Sequence, residues 1–164
     1  MVLKILYELE QFNFDIRWCL MGLSEQIQDE AVRANIAADC AKLIDKQVAA
    51  KGGLAGMAMK TAYSVIKGIG AGYIPGAINR LLPDACKALD PMWKEGAETG
   101  DPVKYLSEHS DRTADSILSV TDARIQTTNN GVVSATYKKL RKSVKNDVEA
   151  AVPDLAQIIS SYAV

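Results

Sequence analysis

The chain has 164 residues, 48% of them apolar and 24% charged, with a net charge of −1. That length suits one domain with its own core, and the near-neutral balance argues against nucleic acid as a partner, since coating it draws on a basic excess. No window approaches the roughly 18 apolar residues of a membrane-spanning helix. Glu8, Glu10 and Asp15 interrupt what a secretory signal would keep apolar, so a cytoplasmic location is expected.

Residues 2–20 read as a helix that carries Phe12, Phe14 and Trp18, both phenylalanines and one of the two tryptophans of the chain. The rest is poor in aromatics, so residues 1–20 are expected to be an N-terminal helical extension. Met21-Gly22-Leu23-Ser24 looks like a second chain start, with the domain proper spanning 21–164. Ser24 and Asp29 are candidate N-caps. A helix over about 30–50 follows, with Val32, Ile36, Cys40, Leu43, Ile44 and Val48 on one stripe, ended by Gly52-Gly53.

Residues 52–79 hold seven of the eleven glycines and only two charges, Lys60 and Lys67. They resolve into a helix over about 54–67, a turn at Gly68-Ile69-Gly70-Ala71-Gly72, and a restart at Ile74-Pro75. Along 74–89, Ile74, Ile78, Leu81, Leu82, Ala85, Cys86 and Leu89 share a face. Pro83 sits within that run and is expected to kink or split the helix, and Asp90-Pro91 to break or restart it. Asp101-Pro102 starts a helix that reaches about 126, with a bend at Ser110-Asp111. Thr127 to Gly131 is a turn. A further helix carries Val133, Tyr137, Leu140, Val144 and Val148, and a last one starts near Pro153 with Leu155, Ile158, Ile159 and Tyr162. No period-2 pattern is sustained. The expected fold is an all-α, single-domain bundle of six or seven helices, one of them kinked at Pro83.

The candidates for chemistry are few. Cys19, Cys40 and Cys86 share no metal-ligand spacing and read as reduced, buried thiols, so neither metal nor cofactor is expected. His109, the one histidine, has Glu108, Asp111 and Arg112 near it in sequence, a setting that could support acid–base chemistry but that nothing else converges on. Asp122 suits a buried ion pair with a Lys or Arg of a neighbouring helix, fixing helix register. Gly53-Leu54-Ala55-Gly56 and Gly68 to Gly72 lack the strands that would make them nucleic-acid or phosphate loops. Two surfaces remain. Lys138, Arg141, Lys142 and Lys145 recur at helical spacing as a basic stripe suited to an anionic membrane surface or to solvent. Lys60, Tyr63 and Lys67 form a second stripe beside Gly56.

Gly53 to Lys60, Tyr63, Lys67, Gly72-Tyr73-Ile74-Pro75, Leu81-Leu82-Pro83 and Ala88-Leu89-Asp90-Pro91 resemble a small all-helical bacterial family of unknown function. Leu118 to Arg124 and Ala150-Ala151-Val152-Pro153 continue the likeness, which covers about residue 21 to the end. The resemblance implies a free-standing domain and supplies no catalytic residue or cofactor. The first functional expectation is a non-enzymatic protein that binds another protein or a second copy of itself. The alternative is a carrier of an apolar small molecule or a peripheral membrane binder, using the 74–89 helix, Met57, Met59, Trp93 and the basic stripe. An enzyme built on His109 ranks third.

Overall fold

The computed structural model describes residues 1–5, 7–8 and 21–162. Of the helix expected over 2–20, residues 2–5 and 7–8 are helical, while Phe12, Phe14, Trp18 and Cys19 lie outside the described residues. Seven further helices follow among the described residues: α1 Leu23–Gln26, α2 Glu30–Ala50, α3 Gly53–Lys67, α4 Tyr73–Glu98, α5 Pro102–Glu108, α6 Ser110–Gln126 and α7 Gly131–Tyr162. No strand occurs among them, so the domain is all-α.

Local sequence sets most of the boundaries. The Asp29 carboxylate accepts from the Val32 N–H at 3.0 Å and opens α2. Asp101 does the same for Lys104 at 2.9 Å, with Pro102 at the first helical position, where its missing N–H costs nothing. The Asn130 side chain accepts from the N–H groups of Val132 and Val133, both at 3.1 Å, at the start of α7. Gly72, at φ +78°, turns the chain into α4. The bend expected at Ser110-Asp111 is the α5–α6 junction, with His109 between the two helices.

Three expectations are corrected. Ser24 is not a cap: it lies inside α1, its N–H donates to Asp90 at 2.9 Å, and its hydroxyl donates to the other oxygen of the same carboxylate. Of the two outcomes expected at Pro83 the split does not occur, and Asp90-Pro91 neither breaks nor restarts the helix, because α4 runs unbroken over 26 residues. Pro153 likewise starts nothing, because α7 runs unbroken over 32. All three prolines are exposed, so the carbonyl each one deprives of a partner can turn to water, and the buried faces on either side hold the helix together.

α4 is the hub. It packs against α1, α2, α3, α5 and α6, and α7 closes the bundle against α2, α3, α5 and α6. The core is one cluster containing Leu23, Ile27, Ile36, Leu89, Met92, Trp93, Leu106 and Ile159, with Trp93 its largest fully buried side chain. Close approach at the α4–α5 turn depends on Gly96, where a Cβ would sit 2.6 Å from Pro102 Cα and 2.8 Å from Tyr105 Cβ. Gly96→Ala is therefore expected to destabilise the fold by about 1–3 kcal/mol, the range for overpacking a tight contact. Gly70→Ala, where nothing lies within 4 Å, should change little. Urea unfolding of the two variants side by side checks the contrast.

Candidate functional site

The residues singled out for binding turn out to be divided between interhelix clamps and free surface. Tyr63 and Lys67 both donate to Asp45 Oδ1 of α2 at 2.8 Å, and the Lys67 ammonium sits 5.2 Å from the Tyr63 ring centre. Arg141 grips Asp122 of α6 through Nε and Nη2 at 2.8–3.0 Å, while the Tyr137 hydroxyl donates to the same carboxylate at 2.7 Å. Asp122 thus makes the interhelical ion pair expected of it, though about a third exposed rather than buried. Lys145 reaches Asp115 at 2.8 Å. Lys60, Lys138 and Lys142 are exposed and pair with no acid among the described residues. The two stripes therefore do not converge on one site.

The tyrosine–carboxylate–cation arrangement occurs twice more. Asp39 accepts from Tyr162 and from Lys42, at 2.8 Å from the latter. Glu95 accepts from Tyr105 and from both terminal nitrogens of Arg112, at 3.0 and 3.3 Å. In each cluster the cation's hydrogen bond holds the carboxyl below its ordinary range. Burial first, then the carboxylate, push the Tyr63 and Tyr137 phenols up.

His109 Nδ1 lies 2.8 Å from the Tyr105 carbonyl, so it donates there, and the imidazole stacks on the Tyr105 ring with centroids 4.1 Å apart. Both contacts fix the α5–α6 junction. No group of three or more His, Cys, Asp or Glu among the described residues is placed to hold a metal ion.

The feature that sequence did not resolve is a cavity of about 270 Å³ between α2, α3, α4, α6 and α7. Its walls are aliphatic: Leu43, Ile44 and Val48 from α2, Ile78, Leu81 and Leu82 from α4, Ile117 and Val120 from α6, Val144, Val148 and Leu155 from α7. Met59 is the one contribution from α3. No aromatic side chain lines it, and the small residues Ala85, Cys86 and Ala151 are among its walls. The Cys40 and Cys86 thiols that face it are free, and burial pushes each up to about 12, so both stay protonated and serve as apolar wall. Asp147 is the sole charged lining residue, and Lys51 donates to its Oδ1. Many lining side chains, Leu43, Ile44, Val48, Leu81 and Val144 among them, keep partial exposure, so the space opens to solvent.

Of the carrier residues expected from sequence, Met59 and the 78–89 face of α4 line this space. Met57 does not, being 66% exposed, and neither does Trp93, which is wholly buried in the core cluster. None of Lys138, Arg141, Lys142 and Lys145 reaches it. Gln47, Val120, Asp147 and Ala151 were missed. The available signal was that four helices carry apolar faces with almost no aromatic side chain to fill the space between them.

A family model described as a family of unknown function (DUF6918) matches residues 23–163, the same span as the likeness read from the sequence. No curated protein and no solved structure matches the chain.

The clamps set a pH window. Carboxyls depressed in the folded state contribute stability that is full above their unfolded values near 4 and lost as pH falls through the folded values. Phenols raised in the folded state contribute stability that is full below about 10 and lost above it. The melting temperature should be flat between about pH 5 and 9 and fall on both sides. Asp122→Asn, which removes the anion beside a partly exposed Arg141, should cost at most about 1 kcal/mol at pH 7 and shrink the acid-side fall. Thermal melts across pH for both proteins check this.

Proposed function

The chain belongs to DUF6918, a family of unknown function, and we propose that it is a binding protein for an apolar small molecule held in the interhelical cavity. One observation carries the reading: a space of about 270 Å³ whose walls are almost wholly aliphatic. Protein interiors pack to the density of organic crystals. A recess of that size that opens to solvent presents aliphatic wall to water, and an apolar occupant gains by displacing that water and restoring close contact with the wall. Volume sets its size at on the order of nine water-sized groups, which fits a medium hydrocarbon chain or a compact ring system. The wall offers such a molecule dispersion contacts and, at Asp147 and Gln47, a few polar atoms for orientation. The protonated thiols and the aliphatic wall favour holding the ligand over reacting with it.

Ala85 and Ala151 stand on facing helices in the lining, so enlarging either one fills the space. 1-Decanol is expected to raise the melting temperature of the wild-type chain in a concentration-dependent way, as any ligand selective for the folded state does. Ala151→Leu should melt at or above the wild-type temperature without ligand and respond about tenfold less to decanol. No response of the wild type to decanol or to a compact aromatic such as naphthalene, measured by melting and by NMR shifts of the Met59 methyl, would sink the reading.

A further inference from the structure

Among α1–α7, α3 departs furthest from turning its apolar face inward. α3 buries only Gly56 and Met59, yet Leu54 is 86% exposed, Met57 66% and Val65 45%, and Ile69 just beyond the helix is also exposed. Leu54, Met57 and Val65, with Thr61 between them, fall on one side of a helix, opposite the Met59 side chain that faces the cavity. α3 is thus two-sided, with one apolar residue toward the cavity and an apolar stripe toward solvent.

Charge is segregated along the segment of chain that holds that stripe. Between Asp45 and Asp84 the chain has no acid and five cations, Lys46, Lys51, Lys60, Lys67 and Arg80, although its net charge is −1. Lys51 and Lys67 pair with Asp147 and Asp45. Lys46, Lys60 and Arg80 are exposed and meet no acid among the described residues. An apolar stripe in an acid-free, cationic segment is the pattern of a helix that lies in the interface of an anionic bilayer, apolar side chains at the acyl boundary and ammonium groups at the phosphates.

We propose that α3 docks on an anionic lipid surface through Leu54, Met57 and Val65, with Lys46, Lys60 and Arg80 supplying the charge. The inference rests on the cavity reading for its purpose: α3 carries Met59 into the cavity wall and joins its neighbours through Gly52-Gly53 and Gly68 to Gly72, so lifting it onto a membrane opens the cavity toward the lipid. The ligand then enters from, or leaves to, the bilayer rather than water.

The test is flotation with vesicles of phosphatidylserine and phosphatidylcholine, beside vesicles of phosphatidylcholine alone. The wild type should float with the anionic vesicles, less at high salt, and weakly with the neutral ones. The triple variant Leu54→Gln, Met57→Gln, Val65→Thr alters exposed side chains, so its melt should match the wild type while flotation drops about tenfold or more. The double variant Lys138→Gln, Lys142→Gln, on the separate α7 stripe, should float as the wild type does. A wild type that stays with the soluble fraction overturns the proposal, as does a triple variant that floats unchanged. A wild type that is dimeric by light scattering, made monomeric by the triple change with no flotation of either, overturns it in favour of a second copy on this face. Decanol binding separates the two readings: the triple variant leaves the lining intact, so it should respond to decanol in solution as the wild type does whether or not the membrane proposal holds.

Discussion

The indole of Trp93 belongs to the buried cluster that Leu23, Ile27, Ile36, Met92 and Leu106 build from α1, α2, α4 and α5. It is the largest fully buried side chain, and the architecture follows from how little else of that size the domain possesses. α1 is four residues long and stays in place through Leu23 in that cluster and the two hydrogen bonds from Ser24 to Asp90. A helix so short has no stability of its own, so the tryptophan cluster and the carboxylate hold it.

Away from Trp93 the space between α2, α3, α4, α6 and α7 is lined by aliphatic side chains, with the small Ala85, Cys86 and Ala151 among them. Helix axes approach no closer than their larger flanking side chains allow, so small residues among those leave volume behind. The cavity is the outcome. The clamps work at a different level. Each puts a carboxylate of one helix against a tyrosine hydroxyl of another and a cation: Asp39 with Tyr162, Asp45 with Tyr63, Glu95 with Tyr105, Asp122 with Tyr137. Exposed ion pairs contribute only about 0–1 kcal/mol each. Their value here is directional, since a phenol and a cation converging on one carboxylate fix the rotation of each helix in a way that aliphatic contact does not. They hold α2, α6 and α7 apart at the distance the cavity requires.

α3 is the element least committed to this scheme. Gly56 lets it approach the Lys51 carbonyl, where a Cβ would come within 2.4 Å, and the Tyr63–Lys67–Asp45 clamp ties its far end to α2. Between those two attachments it contributes Met59 and little else to the interior. A helix attached at its ends and apolar on its outer side is suited to exchanging one apolar neighbour for another, which no other helix of the domain could do without exposing core.

Sequence alone determined the fold class, the caps at Asp29 and Asp101, the glycine turn before α4 and the inward stripes of α2 and α4, because these depend on local backbone preference and helical period. Half of the Asp45 clamp was also legible, as Tyr63 and Lys67 lie four residues apart and so share a face. The tertiary structure decided the rest. Which acid each pair meets depends on helix packing, so Lys67 and Arg141 became clamps rather than open binding groups. Continuity through Pro83, Pro91 and Pro153 was decided by flanking burial that outweighed one lost hydrogen bond apiece. The outward direction of the apolar residues at 54, 57 and 65 was decided by packing because periodicity gives a face but not its direction, and the cavity was hidden because a stripe pattern records which side chains point inward and not whether they meet.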